Sequence, residues 1–128
     1  MKKTALTLAL VAQLSFATDS YFYFGDRKID ITPCQTEQIL REGVKCYELL
    51  MVGSIVGVGD QIIVKTKEIK ALESYAKELN ASIIKPISKD MYLIKANDRT
   101  KTIDIANRLH EKEEIEYAQP DFVRKVGR

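Results

Sequence analysis

The chain has 128 residues with 20 Lys and Arg against 18 Asp and Glu. Two of those cations, Lys2 and Lys3, sit at the extreme N-terminus, and without them the balance is 18 against 18. A neutral chain of one domain's length carries no electrostatic footprint for nucleic acid or for an anionic membrane.

Residues 1–17 read as an export signal. Lys2 and Lys3 precede an apolar run from Ala5 to Ala17, and Ser15-Phe16-Ala17 sets small residues where signal peptidase cuts. The run is too short and too interrupted for a span of about 20 residues. No later segment supplies one, and no Cys follows the cut to carry a lipid. The expected product is secreted or periplasmic, soluble, and free of the membrane after signal cleavage.

Residues 18–59 read as an N-terminal extension. Tyr21-Phe22-Tyr23-Phe24, a turn at Gly25-Asp26 and a strand over 28–32 make a β-hairpin. Cys34 and Cys46 are the only cysteines, and in an exported chain a pair reads as a disulfide. Closing that loop is worth roughly 3 kcal/mol by chain entropy. Metal binding would need more ligands, and the single histidine, His110, lies far away. Thr36 and Gly43 bracket a short helix inside the loop. Gly53, Gly57 and Gly59 mark a turn-and-strand connection into the core.

Residues 60–121 carry the main pattern. Residues 61–66 alternate as a strand. Thr66 offers an N-cap to a helix over 67–79 whose Ile69, Leu72, Ala76 and Leu79 share one face, and Asn80 suits a left-handed helix end. Strands over 82–87 and 91–96 are joined through Ser88-Lys89-Asp90. Asn97, Asp98 and Thr100 start a second helix with Ile103, Ile105, Ala106 and Leu109 facing inward, after which a last strand spans 115–119. The fold class is α+β, a ferredoxin-like βαββαβ antiparallel sheet with two helices on one face, plus the hairpin. Pro86 falls on an edge strand, while the two central strands lack Pro and Gly. Both faces of the central strands are partly apolar, so the face without helices needs a cover, either the hairpin or a partner.

Several chemistries known on this architecture are missing. The strand over 91–96 supplies only Tyr92 of an aromatic RNA platform, and the loop after the first core strand, Thr66-Lys67-Glu68, has neither cysteines for metal nor glycines for phosphate. Gly53-Ser54-Ile55-Val56-Gly57 places its serine wrongly for a nucleophile elbow. His110 has no motif around it and is expected to face solvent, and Glu111 to Glu114 read as a solvated helix end. No catalytic, cofactor or metal site is expected.

Asp60-Gln61-Ile62-Ile63-Val64-Lys65, the helix through Leu72 and Leu79, Met91-Tyr92-Leu93-Ile94-Lys95, and Ile105-Ala106-Asn107-Arg108-Leu109 lead to Ile115-Glu116-Tyr117-Ala118-Gln119-Pro120-Asp121-Phe122. Together they resemble the N-terminal propeptide of subtilisin-like serine proteases. Residues 21–28 and 55–58 also resemble the extension that precedes this core in some bacterial members. The Asp, His and Ser blocks of the protease itself are missing, so no enzyme activity is expected.

The resemblance implies an inhibitor, and a possible folding chaperone, of a subtilisin-like serine protease, monomeric when free. It implies that the sheet docks on the protease and that a C-terminal tail over 122–128 lies in the substrate cleft, where an extended segment binds by main-chain hydrogen bonds. The protease-binding residues so implied are Asp90, Tyr117, Gln119, Pro120, Asp121, Phe122, Val123, Arg124, Lys125, Val126, Gly127 and Arg128. Asp90 would meet the N-termini of protease helices, whose dipoles favour negative charge, and Arg128 would reach the specificity pocket. The alternatives are an extracytoplasmic protein- or ligand-binding module using the open sheet face, and the remnant of a truncated protease gene.

Overall fold

A computed structural model describes residues 20–34, 43–50 and 53–123. The expected export signal, most of the short helix expected between Thr36 and Gly43, and residues 124–128 lie outside the described residues. The elements run β1 (Tyr21–Phe24), β2 (Arg27–Pro33), β3 (Lys45–Leu49), β4 (Ile55–Thr66), α1 (Ile69–Glu78), β5 (Ala81–Ser88), β6 (Met91–Ala96), a 3-10 turn (Arg99–Lys101), α2 (Thr102–His110) and β7 (Ile115–Val123). No described helix is long and apolar enough to cross a membrane.

β4 organises the sheet, and it is longer than its alternating pattern suggested. Its first half pairs with β3 and its second half with β6, while β7 runs antiparallel along its other edge. The expected strand began at residue 61, but the chain is already extended at Ile55 and passes through Gly57 and Gly59. The central strand therefore does contain glycine. Between the Val58–Phe122 and Ile62–Pro120 pairs the register of β4 slips against β7. An isolated glycine in a strand suits such a bulge and the bend it makes.

β5 pairs with β6 on the far side of the sheet, so Pro86 does sit on an edge strand. β1 and β2 form the hairpin expected from Tyr21 onward, closed by Gly25-Asp26 with Gly25 at φ +62°. β2 pairs with β3, and the sheet curls until β1 lies against β7 and α2. Cys34 and Cys46 are joined by a disulfide between the ends of β2 and β3, and the Cys34 N–H donates to the Cys46 carbonyl at 3.2 Å.

Two apolar clusters hold this together. In the first, Ile62, Val64, Ile94 and Ala118 of the sheet meet Leu72 and Ala76 of α1 and Ala106 and Leu109 of α2. Both helices thus cover the same sheet face. The second joins Phe22, Ile31, Tyr47 and Val58 to Ile103 of α2. Ile103 and Ile105 fall in different clusters, which makes α2 the bridge between them.

The helix ends differ in detail from the expected ones. Thr66 finishes β4 instead of capping α1, and α1 starts two residues later than its apolar spacing suggested. The buried Thr66 hydroxyl accepts the Glu68 N–H at 3.0 Å and donates to the Glu114 carbonyl at 2.6 Å, tying α1 to the start of β7. Asn80 takes the left-handed conformation, φ 62°. Asp98 accepts the Thr100 hydroxyl at 2.7 Å and the Thr100 N–H at 3.0 Å, and these hydrogen bonds hold its carboxyl below the usual range.

Candidate functional site

β7 is where the expected binding residues concentrate. Ala118 and Pro120 stand opposite Val64 and Ile62 and are fully buried, while Tyr117 and Gln119 stand opposite Lys65 and Ile63 and are half-buried on the other face. The Ala118 N–H points away from β4, since it donates to His110 Nδ1 at 3.3 Å. Pro120 shares that side of the strand by period two, so its missing N–H removes no bond to β4. The Gln119 side chain accepts the Gly25 N–H at 2.8 Å and so fastens the hairpin turn to β7.

Phe122 and Val123 do not begin a tail. They continue β7 opposite Val58 and Gly57, and the Phe122 ring lies 4.7 Å from Phe22 and 6.1 Å from Phe24 between centroids. The boundary expected after Asp121 therefore moves to Val123. Phe122 also lines an apolar groove of about 690 Å³ with Phe22, Phe24, Ile29, Leu49 and Val56.

Asp90 lies at the opposite end of the sheet. It lies in the β5–β6 turn at φ +61°, beside Met91, which pairs with Lys65, and its carbonyl accepts the Thr66 N–H at 2.9 Å. From Lys65 to Gly57 along β4 is at most about 26 Å at the usual strand rise. Asp90 and the C-terminal exit are therefore not one cluster but two ends of one surface.

That surface is the sheet face away from the helices. The cross-strand pair Ile63–Leu93 occupies its middle, flanked by Gln61–Lys95 and Lys65–Met91. Ile84 and Ile87 on β5 are 43% and 41% exposed. The Lys65 ammonium lies 3.6 Å from Glu116 at the rim. The two helices lie on the other side, and the hairpin sits against α2 and β7. Among the described residues, no helix packs over this face.

His110 is not a solvent-facing residue. It is 5% exposed, and its ring stacks on Tyr23 at 3.6 Å and 4°. With Nδ1 accepting from Ala118, it joins hairpin, helix and β7. Burial first and the Glu111 carboxylate second push the Tyr23 hydroxyl up to about 12. The Asn107 amide adds a 3.0 Å bond to the Tyr21 carbonyl. Nothing near His110 in sequence announced this, because its partners come from β1 and β7. Glu114 likewise does more than face water: it accepts from the Tyr75 hydroxyl at 2.6 Å, which raises Tyr75 to about 12 and lowers Glu114. The described residues contain no group of His, Cys, Asp and Glu that could hold a metal.

A curled antiparallel sheet with two helices on one face, and a mixed face of Ile63, Leu93, Gln61, Lys65 and Lys95 on the other, makes this an α+β domain. The family model of the fervidolysin N-terminal prodomain matches residues 58–121, half of the chain. The chain belongs to that family and is a subtilisin-like propeptide domain. The match runs from the middle of β4 to β7 and leaves β1, β2, β3 and the disulfide outside it. No curated protein and no solved structure matches the chain.

Proposed function

We propose that this domain is exported and inhibits a subtilisin-like serine protease, and that it can also assist folding of that protease. The observation that carries the reading is the course of β7. The strand runs to Val123, opposite Gly57, at the point where the segment expected to bind the protease begins. An extended segment can enter a substrate cleft and bind through its main chain. The open face with Ile63 and Leu93 is the docking surface in this reading, and Asp90 at its far end meets helix N-termini on the protease.

The order β7-β4-β6-β5, antiparallel throughout, also supports reading the family core as the split βαβ arrangement of ferredoxin-like domains. The first and third core strands are then central, as that arrangement requires. Inhibition is tested by progress curves of a subtilase catalytic domain, freed of its own prodomain, with a peptide substrate and purified residues 18–128. Competitive inhibition is expected. Inhibition that excess substrate does not relieve, or none at all, contradicts the reading.

A further inference from the structure

Three asparagines occur in the chain. Two places after Asn97 stands Arg99 and two after Asn107 stands Leu109, but Asn80 is followed by Ala81 and Ser82. This is the Asn-X-Ser pattern, with X not proline, that N-linked oligosaccharyltransferases accept. The hydroxyl at the third place gives such an enzyme a hydrogen-bonding handle on the asparagine. Glu78 adds an exposed carboxylate two residues before Asn80, placed for an ion pair with a transferase that has a basic subsite there.

The fold presents this triplet on the surface. Asn80 follows α1 at φ +62°, and both Asn80 and Ser82 are exposed while Ala81 between them turns into the core. The side chains of the two outer residues stay at the surface, where both meet Asn97. Asn80 Oδ1 accepts from Asn97 Nδ2 at 3.1 Å, and Ser82 Oγ donates to Asn97 Oδ1 at 3.0 Å. The corner lies at the start of edge strand β5, at the end of the sheet away from the Ser88–Asp90 turn and across the sheet from β7. A bulky polar group here shields one end of an unpaired strand edge, a place where small domains risk edge-to-edge association.

We propose that Asn80 is an N-glycan acceptor. The co-reactant is an oligosaccharide linked through pyrophosphate to a polyprenyl lipid. Asn80 Nδ2 attacks the anomeric carbon, the new C–N bond forms, and the bond from that carbon to the pyrophosphate oxygen breaks. The lipid pyrophosphate leaves with the electron pair, and the Nδ2 proton passes to a base of the transferase. This step rests on the export reading, because such transferases act on the outer side of the membrane.

The test expresses the full chain in bacteria that carry an N-linked oligosaccharyltransferase and its lipid-linked glycan. One version keeps residues 1–17, and a second replaces them by a signal peptide of proven function. Mass spectrometry of the extracytoplasmic protein is expected to find the glycan mass on the peptide containing Asn80. Ser82→Thr keeps it, Ser82→Ala and Asn80→Gln remove it, and Glu78→Gln lowers its yield when the transferase reads an acidic residue. Modification only behind the proven signal supports the acceptor and overturns export by the native segment. An unmodified Asn80 in protein exported behind the proven signal overturns the inference, whatever the variants do.

Discussion

Phe122→Ala should unfold the domain more easily, because the residue belongs to the second core and not to a tail. The ring is half-buried and lies 4.7 Å from Phe22, which is itself 1% exposed. A phenylalanine buries roughly 150–250 Å². With about half of that lost at about 25 cal/mol per Å², the transfer term is about 2–3 kcal/mol, and the lost aromatic pair adds about 1 kcal/mol. A total of about 3–4 kcal/mol is a large share of the roughly 5–15 kcal/mol that holds a domain folded. At an m-value of about 1.5 kcal/mol per M, the urea midpoint drops by about 2 M. Equilibrium unfolding followed by tyrosine fluorescence and circular dichroism measures it. A single transition in both probes is expected, because α2 ties the two clusters together. A midpoint shift below about 0.5 M would refute the placement of Phe122 in the core.

Further expectations come from the contacts of the extension. His110→Ala leaves the buried Ala118 N–H without its acceptor and removes the ring under Tyr23, a loss of about 2 kcal/mol with faster amide exchange at Ala118 as the specific sign. Breaking the Cys34–Cys46 bond by a double serine substitution should lower stability by about 3 kcal/mol, read as a lower melting temperature. Tyr23 binds its proton more tightly in the folded chain than at the ordinary 10.0. Its contribution is therefore complete below pH 10 and is lost as pH rises toward about 12. Melting temperatures should fall through that window more in the wild type than in Tyr23→Phe, and equal slopes would show that the ring's burial does not count.

Much of the family core was legible because it is built from local patterns. The apolar spacing of Leu72 and Ala76, and of Ile105, Ala106 and Leu109, marked the inward helix faces, and all five are buried in the first cluster. Asn80 marked a left-handed turn. What could not be read depends on partners distant in the chain. Gly57 and Gly59 looked like a connection because a bulged strand end is recognisable only beside its neighbours β3 and β7.

The second core escaped for the same reason, since Phe22, Tyr47, Ile103 and Phe122 come from four separate elements. One signal for β7 was present: Ala118, Pro120 and Phe122 keep the strand period past the point where the expected strand stopped. Pro120 masked it, because a proline ends a strand unless its N–H faces away from the ladder. For His110 no local signal existed. Its helical position was read from charged neighbours, whereas its contacts come from Tyr23 of the hairpin and Ala118 of β7.

The corrected boundary at Val123 sharpens the central test, which compares residues 18–128 with residues 18–123 as inhibitors of one subtilase catalytic domain. Removing 124–128 leaves β7 whole, so the two proteins should have the same urea midpoint. The account predicts that the longer form inhibits and that the shorter form loses at least about a hundredfold in affinity, about 2.7 kcal/mol. Equal inhibition by the two forms, with equal stability, would contradict it.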